Sequence, residues 1–197
     1  MVARGSDYVF GQDLSDVARF VGLDYSATPE LSPQELVERL ECMLLAALRF
    51  GSQIPADRLG DKLPNRDRTY LALLNHIFEI AAGLLKITGG ASMTGEIAAA
   101  VPDLDRDLAA LTMRSNEIIE GLDVWWGVRE DPECARNVDT FYGTQSLHAV
   151  LERITWHCAQ HVRQLMMVLE MLHIPADDPL GAQDFERLPM PKDVWDG

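Results

Sequence analysis

Two of the five histidines in the 197-residue chain are four residues apart, within the segment 156–164. On a helix, His157 and His161 would lie on one face, one turn apart, where both imidazoles can bind a single metal ion. A third histidine, His76, lies in another apolar segment. Neutral imidazole binds zinc, nickel and iron, and three protein ligands leave one position open, as in catalytic zinc sites. The three histidines therefore predict an open divalent-metal site.

The same residues also allow a metal-free interpretation. Helical His-x-x-x-His pairs occur without metal, and a single buried histidine is usually a structural residue. Glu79, one turn after His76, could accept a ring proton, act as a base or complete the metal shell, although a glutamate there is more often a solvated flank. Cys158 lies about 100° around the helix from His157, which favours a small buried apolar role.

Four long segments carry apolar residues at three- and four-residue steps, which predicts helices. They cover about residues 33–51, 67–87, 102–127 and 144–173. His76 would lie in the second helix and the histidine pair in the fourth, each on the apolar stripe, so all three imidazoles should face the interior. The pattern predicts an all-α fold, a four-helix bundle with a long connection between helices 2 and 3.

The rest of the chain suggests one domain with two extensions. The length suits a single hydrophobic core. We expect residues 1–30 to form an N-terminal arm with a short helix near 14–21, and residues 31–175 to form the bundle. Residues 176–197 form a Pro-rich C-terminal tail. Because apolar residues such as Trp195 are unusual in a disordered end, we expect the tail to pack on the bundle.

Composition limits the partners and the compartment. The formal net charge of -14 argues against nucleic acid and against anionic membrane surfaces. The three cysteines are widely spaced with no Cys-x-x-Cys, so they indicate neither a disulfide framework nor a thiolate zinc site. Residues 1–9 lack the apolar core of a signal peptide, and no segment approaches the length of a membrane span. We therefore expect a cytoplasmic protein with no membrane partner.

Two histidine-bearing segments resemble a known superfamily. Trp156-His157-Cys158-Ala159-Gln160-His161-Val162-Arg163-Gln164-Leu165, together with Leu74-Asn75-His76-Ile77, is similar to the DinB-like superfamily of metal-binding four-helix bundles. That superfamily includes the mycothiol-dependent maleylpyruvate isomerase and the bacillithiol transferases. The resemblance covers about residues 31–174 and implies that His76, His157 and His161 are the metal ligands. It also implies a divalent metal, zinc first with nickel or iron as alternatives, and a homodimer.

A narrower resemblance suggests the co-substrate. Residues 10–23 are similar to the stretch that joins a glutaredoxin-like domain to a DinB-like bundle in two-domain proteins, and residues 63–70 and 191–195 are similar to the bundle half of the same subgroup. This implies a functional link to a glutaredoxin-like domain and a low-molecular-weight thiol, glutathione or a similar compound, as co-substrate. The printed sequence itself carries no redox cysteine motif.

These observations lead to an expected function and two alternatives. The first is a metal-dependent thiol transferase, a glutathione-type S-transferase or an isomerase, that joins a small-molecule thiol to an electrophile. The second is a non-catalytic stress-related or sensor protein that binds metal as a dimeric helical bundle. The third is a metal-free structural bundle whose histidines hydrogen-bond to one another or to Glu79.

Four polar side chains could hold the carboxylates of a peptide thiol. Arg153 and Gln164 share the histidine face of the fourth helix, and Arg66 and Arg68 lie at the start of the second. For Arg66 and Arg68, a surface ion pair or a helix-start loop is the commoner role. The sequence identifies no catalytic acid or base.

Overall fold

The computed structural model describes residues 2–9, 14–23, 31–64, 66–100 and 107–194. In these ranges the chain is mostly helical, with seven helices and two small antiparallel sheets. The prediction of a mainly helical fold is confirmed. The two short β-hairpins depart from the all-α prediction.

Helices and strands follow one another in a simple order. The strands are β1 (Val2–Arg4), β2 (Asp7–Val9), β3 (Asn137–Thr140) and β4 (Gly143–Ser146). The helices are α1 (Leu14–Val21), α2 (Pro33–Gln53), α3 (Tyr70–Thr88), α4 (Gly95–Ala99), α5 (Leu108–Val128), α6 (Leu147–Met171) and α7 (Ala182–Phe185). Strands β1 and β2 pair with each other, as do β3 and β4.

Side-chain caps determine where the central helices begin. Helix α2 begins with a capping box, in which the Glu35 amide donates to the Ser32 hydroxyl and the Ser32 amide donates to the Glu35 carboxylate. The Thr69 hydroxyl caps α3. Ser146 caps α6, so this helix begins three residues later than the predicted 144. The error arises because residues 143–146 pair as a strand instead of joining the helix.

Helix α5 runs from Leu108 to Val128 and is capped by Asp107. The predicted start of this helix near residue 102 lies outside the described residues, as does Trp195. The short helix expected near residues 14–21 is present as α1.

The four long helices contact one another around one core. Helix α2 packs along α6, α3 packs against both, and α5 packs against α2 and α3. Fully buried side chains such as Leu40, Phe50, Leu73, Ile118 and Leu165 fill the space between them. Each such side chain contributes about 1.5–3 kcal/mol by leaving water. This packing holds α3 beside α6, the two helices that carry the histidine triad.

Helix α3 is also long and apolar enough to cross a membrane by length and composition. The expectation that no segment approaches a membrane span is wrong by that criterion. However, 72% of that apolar stretch is buried inside the protein, as in the core helix of a soluble fold. The feature is therefore weak evidence for a membrane-spanning role.

The connection after α3 is held against the helices. The Met93 amide donates to the Asp139 carbonyl over 2.8 Å, which ties the connection to the β3–β4 hairpin. Helix α4 then lies close to α3 at Gly83, where an added Cβ would be 3.0 Å from a methyl carbon of Ile97. The helix ends at Ala100, whose backbone is left-handed with a φ of 44°. This places the Ala100 carbonyl beside the interior of the fold.

The C-terminal segment contacts α2 and α6 over much of its length. Three arginines of these helices donate to its backbone carbonyls: Arg39 to Gln183, Arg49 to Asp177 and Asp178, and Arg163 to Pro191 and Lys192. Leu188 of this segment is buried. The part of the tail that the structure describes thus lies on the long helices.

Candidate metal centre

Three histidines from two helices meet at one point in the interior. The ring centroids are 5.5 Å apart for His76 and His157, 4.8 Å for His76 and His161, and 4.9 Å for His157 and His161. One ring nitrogen of each lies within 4.8 Å of those of the other two. Neighbouring ligands of a tetrahedral zinc ion are roughly 3.4 Å apart, so small side-chain adjustments suffice for all three to reach one ion.

The His76 ring is oriented by the backbone. Its Nδ1 lies 2.7 Å from the carbonyl oxygen of Ala100, and the residue is only 4% exposed. A carbonyl only accepts hydrogen bonds, so Nδ1 must carry the proton and Nε2 must carry the lone pair. Metal-bound histidines are commonly held in this way, with the second ring nitrogen donating to a carbonyl.

The His161 ring is oriented by a side chain. Its Nδ1 lies 2.8 Å from Oε1 of Gln164. Its Nε2 is buried and has no hydrogen-bond partner among the described residues. A buried polar atom without a partner costs about 1–3 kcal/mol, and a metal ion at the triad would bind this lone pair. The donor set therefore fits a divalent ion.

Burial keeps all three imidazoles neutral. It is the main reason that the pKa falls to about 4 for His76, about 2 for His157 and about 3 for His161. Positive charge on Arg68 lowers each of these pKa values further. Because only the neutral ring can bind a metal, the site is in its ligand form at neutral pH.

Two of the predicted arginines lie near the triad, and neither has an acidic partner among the described residues. Arg153 is half-buried, with its guanidinium carbon 5.5 Å from the ring centroid of Tyr142 and 5.9 Å from that of Trp156. Arg68 is also half-buried. Burial lowers the pKa of both guanidinium groups, and no carboxylate of the described residues counteracts it. Arg66 is exposed, and its charge lowers the pKa of Arg68 and of His161.

Of the other predicted site residues, Gln164 contacts His161, whereas Glu79 is not part of the histidine cluster. Glu79 is half-buried and lines a separate cleft of about 460 Å³ with Gly83, Lys86 and Glu96. Cys158 is fully buried, with Sγ 3.6 Å from the Ile77 carbonyl oxygen, and burial raises the pKa of its thiol. It is not poised to act as a thiolate ligand.

Several groups around the triad could not be recognised in the sequence. The carbonyls of Ala100 and Val194 are backbone atoms, and any residue type supplies them. Tyr142 lies in the turn of the β3–β4 hairpin, outside the helical patterns, yet its ring contacts Arg153. The sequence does place Gln160 and Gln164 three and seven residues after His157, on one side of the helix, and in the structure both are buried.

Comparisons with models of known protein families, with characterised proteins and with solved structures give no match. The site must therefore be judged by its geometry. Among the residues that the structure describes, the histidine triad is the one group of three or more His, Cys, Asp or Glu side chains close enough to hold a metal ion.

Proposed function

We propose that the chain is a four-helix bundle of the DinB-like type, formed by α2, α3, α5 and α6, with His76, His157 and His161 as ligands of a divalent metal ion. Zinc is the first candidate, with nickel and iron as alternatives, because all three accept imidazole. The buried Nε2 of His161, which has no other partner among the described residues, is the observation that carries this proposal.

The proposed reaction is thiol transfer. When bound, the ion would lower the pKa of a small thiol, such as glutathione, that occupies its open position. The chain would orient the thiol and present it to an electrophilic small molecule, as an S-transferase or an isomerase. Support for a transferase in place of a hydrolase comes only from the resemblance to thiol-dependent DinB-like enzymes.

The arginines beside the triad support an anionic ligand. A positive charge near a cation site opposes metal binding, and half-burial without a carboxylate is costly for the guanidinium itself. A ligand with carboxylates would relieve both effects, since Arg binds carboxylates through paired hydrogen bonds. Arg153 is held by the rings of Tyr142 and Trp156, which limits its motion. We therefore propose Arg153 and Arg68 as the carboxylate-binding residues.

One observation favours the alternative of a non-catalytic, stress-related or sensor protein. The cavity that His157 and Arg153 line has a volume of about 10 Å³, room for one water molecule at most. Ile97 and Ala98 of α4 help to close it. A transferase would require α4 to move away from α6 for a thiol to enter, whereas a sensor could keep the metal enclosed.

The proposal extends to assembly and location. We propose a cytoplasmic homodimer that works with a glutaredoxin-like domain and binds neither nucleic acid nor membrane. Exposed apolar side chains on α5, namely Met113, Val124 and Val128, offer a surface for the second copy. The net charge of -14 supports the absence of a nucleic-acid partner.

Elemental analysis of the purified protein tests the proposal. We expect about one equivalent of metal in the parent protein and none in the variant with His76, His157 and His161 changed to Ala. The loaded protein is then incubated with glutathione and a panel of electrophiles. Metal binding without turnover would favour the sensor, and no binding after reloading with zinc, nickel and iron would exclude both metal-dependent functions.

A further inference from the structure

Three polar side chains of α6 hold four consecutive carbonyls of the C-terminal segment 191–194. Gln160 donates to Asp193 over 3.2 Å and to Val194 over 2.7 Å. Arg163 donates to Pro191 over 2.8 Å and to Lys192 over 3.2 Å. Gln164 donates to Val194 over 3.1 Å. Since the spacing of 160, 163 and 164 places these side chains together on one face of the helix, they act as one clamp.

Gln164 connects this clamp to the triad. The Val194 carbonyl can only accept a hydrogen bond, so the amide nitrogen of Gln164 must face it. The amide oxygen must then face Nδ1 of His161, and Nδ1 must carry the ring proton. This leaves the lone pair of His161 on Nε2, the atom directed to the metal position. The C-terminal backbone therefore determines the tautomer of His161 through one side chain.

Burial makes this arrangement sensitive to the position of the segment. Gln164 is 5% exposed and Gln160 is 3% exposed, so neither can readily replace a lost partner with water. If the segment moved away, the Gln164 amide could turn and present its NH₂ group to Nδ1 of His161. Nδ1 would then have to accept, and the proton would move to Nε2, which could no longer bind a metal ion.

We propose that Gln164 is a positioning residue for His161 and that the segment 191–194 sets the metal affinity of the triad through it. This inference rests on the proposed metal binding at the triad. It assigns a role to a part of the chain that contributes no metal ligand, and it makes the docked C-terminal segment a control element of the site.

Zinc affinity of full-length variants, measured by competition with a chromophoric chelator, tests the inference. Gln164→Met removes both hydrogen bonds with little change in size, and we expect about 10- to 100-fold weaker binding. Arg163→Met loosens the segment without touching a ligand, and we expect roughly 3- to 10-fold weaker binding. Arg49→Met is the matched control, because Arg49 also donates twice to tail carbonyls, but at residues 177 and 178. This variant should bind zinc like the parent.

A fourth variant separates the contact of residue 164 with His161 from its contact with Val194. Gln164→Glu keeps an acceptor for His161 but cannot donate to Val194, so its zinc affinity should stay within about threefold of the parent. In that background, Arg163→Met should have no further effect. If Arg163→Met weakens binding equally in both backgrounds, the effect does not pass through Gln164 and the inference is wrong.

Nitrogen NMR of the metal-free proteins shows which ring nitrogen of His161 carries the proton. A merely structural role of Gln164 would leave that tautomer unchanged. We expect His161 to be protonated at Nδ1 in the parent, in Gln164→Glu and in Arg49→Met, and to shift toward the Nε2 tautomer in Gln164→Met and Arg163→Met. If the parent binds zinc and all variants keep its zinc affinity and its His161 tautomer, this inference alone is overturned. A parent that binds no metal would overturn it together with the proposed function.

Discussion

Arginines at two sites of this protein have opposite surroundings. We define the tail face as Arg39, Arg49, Arg187 and the residues they contact. Each of these three guanidinium groups lies beside a carboxylate. The distances are 3.8 Å from Arg39 to Asp184, 3.5 Å from Arg49 to Asp178 and 2.5 Å from Arg187 to Glu35. At the candidate metal centre, Arg68 and Arg153 are half-buried, and burial lowers their pKa values with no carboxylate of the described residues opposing it.

The contrast distinguishes arginines that are paired within the chain from arginines to which we assign an anionic ligand. A paired arginine is satisfied within the chain and contributes to folding, whereas a half-buried one without an anion is a cost that a ligand can remove. The chain has 31 acidic residues against 17 basic ones, so carboxylates are plentiful. Among the described residues, no carboxylate offsets the burial of Arg68 and Arg153, which supports the proposed site for an anionic ligand.

The largest expected effect is the loss of metal from single histidine variants. His161→Ala or His157→Ala should weaken zinc binding at least about 100-fold, because two remaining ligands hold the ion poorly. The matched control is His148→Ala on the same helix, whose ring bonds the Leu31 carbonyl over 2.8 Å. That variant should lose about 1 kcal/mol of stability and keep its metal. Equal zinc affinity in all three variants would place the ion elsewhere.

Acidification should destabilise the metal centre before the tail face. The folded pKa values of His76, His157 and His161 lie below the unfolded value of 6.5. Unfolding therefore takes up protons, and the free energy of unfolding of the metal-free protein falls as the pH drops below about 6.5. Each histidine contributes at most about 2 kcal/mol between pH 7 and pH 5.

Glu35 on the tail face responds only at lower pH. The Ser32 backbone amide, and next the Arg187 guanidinium, lower its pKa to about 2, so its contribution is lost below the unfolded value of 4.5. Urea unfolding at several pH values measures both effects. The variant lacking the three histidines should lose most of the slope between pH 7 and pH 5. A full slope in that variant would show that other groups titrate there.

Arginine variants test the contrast between the tail face and the candidate metal centre most directly. In zinc-loaded protein, Arg153→Met and Arg68→Met should weaken glutathione binding about 10-fold, since each removes a charge-assisted hydrogen bond. Their stability should be unchanged or slightly higher. Arg49→Met should show the reverse, with unchanged glutathione binding and a loss of about 1–2 kcal/mol. Calorimetry and thermal unfolding separate the two patterns, and destabilisation by all three variants would make Arg68 and Arg153 structural.

The smallest expected effect is that of Glu79→Gln. Glu79 lies outside the histidine cluster and lines the cleft beside Lys86 and Glu96. Zinc affinity should therefore change less than about twofold, as expected for a charge that is not a ligand. A loss of 10-fold or more would show that Glu79 completes the metal shell.

The sequence predicts the histidine triad because the spacing of residues on one face of a helix can be read directly from the sequence. His157 and His161 are four apart on an apolar stripe, and His76 lies on a second stripe, so their convergence required only that α3 and α6 be neighbours. The capping box of Ser32 and Glu35 can also be recognised in the sequence, because a Ser-x-x-Glu pattern precedes an apolar helical segment. The start of α6 was missed because residues 143–146 pair with the preceding strand of a β-hairpin, and the apolar helical periodicity of the fourth segment does not show where that pairing ends.

The surroundings of the triad were less accessible from sequence. Gln164 was recognised as a neighbour of the histidines, but its link to Val194 depends on how a segment thirty residues later folds back. The same holds for the Ala100 carbonyl, which reaches His76 only because α4 packs against Gly83. Such contacts depend on tertiary placement, whereas ligand spacing depends on one helix.

X-ray absorption at the metal edge of the zinc-loaded protein is the most direct test of the central claim. Three histidines with one ring nitrogen each close enough to hold one ion predict three imidazole nitrogens at about 2.0–2.1 Å and one further light ligand. Addition of glutathione should replace that light ligand with sulfur at about 2.3 Å if the site takes a thiol. One imidazole or none, or a sulfur ligand before any thiol is added, would contradict a His76, His157 and His161 metal centre.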